Sequence, residues 1–239
     1  MTGLTEALRL AKRVAALAGC SRREAELYIE GGWVRVDGVL VDAPQHRVTA
    51  DQRIELDPGA TADALEPITL LLHQPAGAGI QEALRMLTPA THAGDQSDAR
   101  TVQRHFAKLV PLLPLPRLAS GLAVFSRQPG VIRRLTEDAA TLEQEVIAEV
   151  GGEAAVDALP RLCHGLARQG RALPPIKVSW QSERRLRFAL KGIASELVPW
   201  MCEQVGLTVV SLKRIRIGRV PMSGLAQGQW RFLRREERF

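Results

Sequence analysis

Residues 21–38 read SRREAELYIEGGWVRVDG, and this run leaves the chain little choice of local structure. Ser21, followed three residues later by Glu24, forms a capping box. In that motif the hydroxyl and the carboxylate each take a backbone N–H that the start of a helix leaves unpaired. Ala25, Tyr28 and Ile29 then fall on one apolar helical face. Gly31-Gly32 ends the helix, because glycine enters the left-handed conformation without steric cost. Asp37-Gly38 between WVRV and VLV predicts a two-residue hairpin turn. Upstream, RLAKRVAALA places Leu10, Val14, Leu17 and Ala18 on one face of a further helix, with Arg9, Lys12 and Arg13 opposite. Downstream, QHRVTADQRIEL reads as one more short strand with its turn. Residues 1–56 are therefore expected to form two helices followed by a small β-ribbon.

Charge adds a direction to this module. The 239-residue chain carries a formal charge of +6. Residues 1–56 hold eight basic and eight acidic groups, residues 57–206 sixteen of each, and the last 33 residues eight against two. A local basic excess suits a polyanion such as RNA. Arg22 and Arg23 sit in the first turn of their helix, where open backbone N–H groups favour phosphate. No apolar run approaches 18 residues, which argues against a membrane span. The segment MTGLTEALRLAKR carries no secretory signal pattern. Cys20, Cys163 and Cys202 are widely spaced and read as reduced thiols of a cytoplasmic protein.

Residues 57–66, DPGATADALE, read as a linker, and 67–239 as a second domain. PITLLLHQPAG, AVF (123–125), EVIAEV (145–150), IKVSW (176–180) and LRFALKG (186–192) are strand candidates. Residues 130–142 and 152–168 look helical, and so does SELVPWMCEQVG, with Pro199 in a first turn and Gly206 as the stop. LTVVSLKRIRIG is a long strand whose simple alternation puts Arg214 and Arg216 on one face and Ile215 and Ile217 on the other. The expected class is α+β: a small two-helix and β-ribbon domain, then a mixed, largely antiparallel sheet with packed helices.

The first module, RLAKRVAALAGCSRREAELYIEGGWVRVDG through DQRIEL, resembles the RNA-binding module shared by a ribosomal small-subunit protein, tyrosyl-tRNA synthetases and many rRNA-modifying enzymes. The second domain resembles the RsuA/RluF-type rRNA pseudouridine synthases. VGLTVVSLKRIRIGRVPMSGLAQGQWRFL is similar to that family's closing segment, and LLHQPAG to its opening strand, with Gln74 where the family has lysine. The resemblance implies a pseudouridine synthase-like fold, no cofactor, and chemistry in which a carboxylate starts cleavage of a glycosidic bond on a base flipped onto an aromatic ring.

The same resemblance exposes what this chain lacks. The family's catalytic segment runs Gly-Arg-Leu-Asp-x-x-Ser/Thr-x-Gly-Leu. Here Arg117-Leu118 leads directly to Ala119-Ser120-Gly121-Leu122, so Ala119 matches the aspartate and the loop is about three residues short. No Asp or Glu lies between Pro111 and Thr136. The family's stacking tyrosine matches Val146, and the chain's one tyrosine, Tyr28, belongs to the first domain. The family's aspartate-pairing arginine belongs in SELVPWMCE, which has none around Pro199 and Trp200. These losses point to an RNA-binding member of the family that is no longer a catalyst. The expected RNA contacts are Lys12, Arg13, Ser21, Arg22, Arg23 and Arg35 in the first domain and Lys213, Arg214 and Arg216 in the second; the partner is structured RNA, in particular rRNA.

Two other readings compete. An active synthase could use a relocated carboxylate, Asp95 or Asp98, although a Gly-, Ser- and Ala-rich loop is a poor frame for a catalytic group. A protein-interaction role would place Trp180, Trp200 and Trp230 on a binding surface. Cys163-His164 lacks companions at metal-ligand spacing, so no metal site is expected, and neither is a membrane contact. A monomer is expected.

Overall fold

The computed structural model describes residues 7–94, 101–222 and 224–239. By their contacts the residues divide into two compact units, Met1–Pro67 with Asp98–Ala107, and Ile68–Ser97 with Lys108–Phe239.

The first unit begins with a two-residue strand β1 (Leu8–Arg9), followed by α1 (Leu10–Ala18) and α2 (Arg22–Glu30). The capping box forms as its spacing requires: the Glu24 N–H donates to Ser21 Oγ at 3.2 Å, and the Ser21 N–H donates to Glu24 Oε2 at 2.8 Å. Next come β2 (Val34–Val36) and β3 (Val39–Leu40). Asp37 and Gly38 between them both take positive φ, 52° and 80°, as the hairpin turn demands. The region read as one further strand holds two, β4 (Arg47–Val48) and β5 (Ile54–Leu56). β4 pairs with β1, and β5 pairs with β2 on the side away from β3. Leu10, Val14, Ala25, Ile29, Val34 and Val48 close the core. Leu17, expected on the buried face, is exposed; Ala11 is buried in its place. Leu17 lies in the last turn of α1, whose buried residues, Leu10, Ala11 and Val14, are confined to the first five positions.

The second unit starts with β6 (Thr69–Gln74), then α3 (Ile80–Met86), β7 (Val110–Leu112), β8 (Ala119–Ser126), α4 (Pro129–Thr136) and β9 (Glu143–Gly152). After these come α5 (Ala158–Cys163), β10 (Ala167–Arg168), β11 (Arg171–Ala172), β12 (Lys177–Ser182) and β13 (Arg185–Lys191). The chain then runs through α6 (Val198–Glu203), β14 (Leu207–Ile217), β15 (Val220–Pro221) and β16 (Trp230–Phe232). The main sheet orders its strands β12-β13-β9-β14-β8-β6-β16, with β15 beside β14 and β7 beside β8. All of these pairings are antiparallel except β14 with β8. Central strands β8, β9 and β14 carry the apolar residues that the alternating pattern promised. The expected helix over 152–168 is confined to α5; its flanks carry Gly152 and Gly165 at positive φ, and Ala167–Arg168 pairs as a strand instead. Pro199 does fall in the first turn of α6.

Candidate nucleic-acid interface and the family's catalytic positions

Among the expected contacts of the first unit, the exposed cations are Arg22 and Arg23 at the start of α2 and Lys12 on α1. Arg22 and Arg23 keep 59% and 66% of their side chains exposed. Both lie near a single carboxylate, Glu26, at 3.6 and 3.7 Å, so the pair retains a net positive charge. Lys12 is exposed. The other expected contacts are more committed. Arg13 donates to the carbonyls of Thr49 at 2.8 Å and Ala50 at 3.5 Å, pinning the loop before β5. Arg35 donates to Gly38 O at 3.3 Å and lies 4.0 Å from Asp57, bracing the hairpin. Ser21 spends its polar atoms on the cap. Arg9, not among the expected contacts, lines an open groove of about 550 Å³ in which Arg9, Arg22 and Arg104 face Glu26, Glu30 and Asp42, so the groove is balanced in charge.

In the second unit, a residue that sequence reading placed on the surface is buried. Arg214 is 1% exposed. Its Nε donates to Leu122 O at 2.8 Å, Nη2 to Leu113 O at 2.6 Å and Nη1 to Gln144 Oε1 at 3.1 Å. Burial draws its pKa down to about 10, opposed by the charge of Glu196. The expectation that Arg214 meets RNA is therefore corrected, and the reason is a β-bulge. Arg214 pairs with Val146 and Arg216 with Glu145, so the register shifts between them and simple alternation fails. The two arginines leave opposite faces of the sheet. Arg216 stands beside Glu143 at 2.5 Å and Glu145 at 2.6 Å, and Arg187 donates to Glu145 as well. Hydrogen bonding from Arg216 outweighs burial and holds the Glu145 carboxyl below its usual range. Lys213 is half-buried on β14.

The positions that match the family's catalytic groups lie in one packed apolar cluster. Ala119 is 2% exposed and Val146 1%, and both pack with Leu212, Phe188, Val198 and Met201. Ala119 donates its N–H to Pro116 O at 2.8 Å and pairs with Leu212 across the parallel strand. Two residues on, Gly121 has φ +112°, and a Cβ there would run into the backbone of Arg214. Only glycine fits this crossing. Gln74, at the family's lysine position, is buried and donates to Ala78 O at 2.7 Å. The ionisable member of the cluster is Cys202, whose thiol burial pushes up to about 12, well away from a reactive thiolate. Arg168, remote in sequence, places its guanidinium 5.6 Å from the Trp200 ring centroid, a cation–π contact on an exposed side chain. Asp95 and Asp98 lie outside the described residues. Trp230 is fully buried and donates to Thr88 O at 2.7 Å, so it marks no surface, whereas Trp180 is exposed. Among the described residues no group of three or more His, Cys, Asp or Glu side chains is placed to hold a metal ion, and no helix is long and apolar enough to cross a membrane.

Comparison with known proteins follows this division. Residues 8–54 match the S4 domain family. The chain is 24% identical to the dual-specificity RNA pseudouridine synthase RluF of Escherichia coli K12, over 96% of this chain and 77% of the relative. It is 26% identical to the ribosomal large subunit pseudouridine synthase B of Bacillus subtilis, over 94% of this chain and 91% of the relative. A crystal structure of a pseudouridylate synthase superposes with a TM-score of 0.59 at 18% identity, covering 95% of this chain and 96% of the other. The S4 match thus falls within the first unit, the similarity to these two RNA pseudouridine synthases runs through both units, and the solved synthase shares the α+β fold.

Proposed function

We propose that this protein binds structured RNA, rRNA in particular, through its S4 unit and does not isomerise uridine. The observation that carries the reading is the closed apolar cluster at Ala119 and Val146. A pseudouridine synthase needs a carboxylate and a stacking ring facing a pocket that admits a flipped base. Alanine and valine, each nearly fully buried, supply neither the groups nor the space. RNA binding is supported by the S4 match and by the exposed Arg22–Arg23 pair at the start of α2.

The test is mass spectrometry of rRNA after cyanoethylation, which tags pseudouridine, with the protein expressed in a strain lacking its own synthases. No pseudouridine is expected, and Ala119→Asp stays inactive. Residues that act as a catalytic unit are grossly non-additive, and Val146 offers no ring. Stoichiometric pseudouridine from the unmodified protein would overturn the reading. If Asp95→Ala or Asp98→Ala then abolished it, a relocated carboxylate would take its place.

A further inference from the structure

The basic excess of the last 33 residues is not used where sequence reading put it. Arg214 is buried, Arg216 is held by two glutamates, and Arg231 is buried against Glu237. Of the five basic residues that remain, Arg234, Arg235 and Arg238 gather in one place. An open groove of about 780 Å³ lies between the start of α4 and the segment that follows β16, and Arg134, Arg234, Arg235 and Arg238 line it.

This segment is built rather than draped. Arg231 forms a two-pronged pair with Glu237, Nη1 to Oε2 at 2.7 Å and Nη2 to Oε1 at 2.8 Å. The same carboxylate accepts the Arg234 N–H at 3.0 Å, and the Glu237 N–H returns to Arg234 O at 3.2 Å. Arg231 also donates to Phe232 O at 3.0 Å and Pro221 O at 3.2 Å, which fixes the turn to the sheet. The one side-chain carboxylate lining the groove is therefore already neutralised from within. Arg134 pairs with Asp138 at 3.1 Å and donates from Nε to Phe239 O at 3.5 Å, and Arg238 donates to backbone carbonyls of its own turn. Arg234 and Arg235 are exposed. Across the groove, Gly130 near the start of α4 has open space where a side chain would stand, so a ligand can approach the backbone there.

We propose that this groove is a second RNA contact that grips the phosphate backbone without reading bases. Several arginines on a hydrogen-bonded frame and an internally neutralised carboxylate match a run of phosphates. The groove carries no aromatic lining beyond Phe239, which argues for backbone contact over base stacking. The inference rests on the RNA reading above and adds a site that the S4 unit does not contain.

The experiment measures binding of a fluorescent structured rRNA fragment to the full chain at several salt concentrations. Four proteins are compared: wild type, Arg234→Glu with Arg235→Glu, Arg22→Ala with Arg23→Ala, and the four changes together. The groove variant is expected to lose at least about tenfold in affinity, since charge-assisted contacts are among the stronger ones. Its log–log salt slope should fall by about 1.4–1.8, for two phosphates released. Its melting temperature should match wild type, because both side chains are exposed. An unchanged affinity and slope in the groove variant, beside a weakened Arg22/Arg23 variant, overturns the groove and leaves the RNA reading standing. A wild type without salt-dependent RNA binding overturns both. Calorimetry with inorganic phosphate is the last arm: tight phosphate binding lost in the groove variant, with RNA affinity intact, reassigns the groove to a free anion and overturns the RNA contact.

Discussion

Two arginine pairs, Arg22–Arg23 on α2 and Arg214–Arg216 on β14, look alike in sequence and behave differently in the fold. Each sits in an amphipathic element beside apolar residues. The helical pair stays exposed and shares one glutamate. In the strand pair, one arginine is sealed among carbonyls and the other is bound by two glutamates. The difference teaches that a basic residue count reports on RNA affinity only after the inward-facing members are removed.

The comparison breaks most readily at Arg214. Replacing it with glutamate puts an unpaired carboxylate against carbonyl oxygens in the core, and the expected loss exceeds about 4 kcal/mol, a size reserved for buried unpaired charge, strain or cavities. Urea denaturation reads it directly; a variant as stable as wild type would show that the side chain is not buried. Gly121→Ala should be comparably damaging, because a Cβ meets the backbone of Arg214 at a φ that disfavours side chains.

The helical pair should answer in the opposite measurement. Arg22→Ala with Arg23→Ala is expected to weaken RNA binding by about 2–3 kcal/mol, with no change in melting temperature beyond the small value typical of surface ion pairs. A fall in stability with unaltered RNA binding would reverse the assignment of the two regions.

Acid titration sharpens the contrast between Arg216 and its neighbours. Glu145 has a lowered folded pKa, chiefly through hydrogen bonding from Arg216. Its stabilising contribution is therefore complete above the unfolded carboxylate pKa of about 4.3 and fades as pH falls through the lower folded value. Glu145→Gln should flatten that acid limb of the stability curve, and an unchanged limb would show that the pair does not stabilise the fold. The smallest expected effect is at Ser21: Ser21→Ala removes the N-cap and should cost about 1 kcal/mol of stability, while RNA affinity, measured on folded protein, stays within about twofold. That outcome would separate the cap from the arginines that follow it. A large affinity loss would restore Ser21 as a contact.

Local physics let the sequence by itself determine the caps and turns of the first unit. The capping box, the Gly31–Gly32 stop and the Asp37–Gly38 turn act over a few residues, so their geometry is written in adjacent side chains. The α+β class and the longer strands of the second unit, β6, β8, β9, β12, β13 and β14, were legible for a similar reason, since apolar patterning reports burial; β7, β10, β11, β15 and β16, two or three residues each, are too short to carry such a pattern. Only the tertiary structure decided which cations reach solvent. A β-bulge between Arg214 and Arg216 is a mismatch between two strands, and neither strand's sequence contains it. The same holds at Ala119 and Val146: the sequence shows two apolar residues there, but packing against α6 and β13 closes the space around them. The groove past β16 depends on a pairing between Arg231 and Glu237 that frees their arginine neighbours. Charge is a property of residues, whereas its availability to a partner is a property of the burial and pairing imposed by the fold.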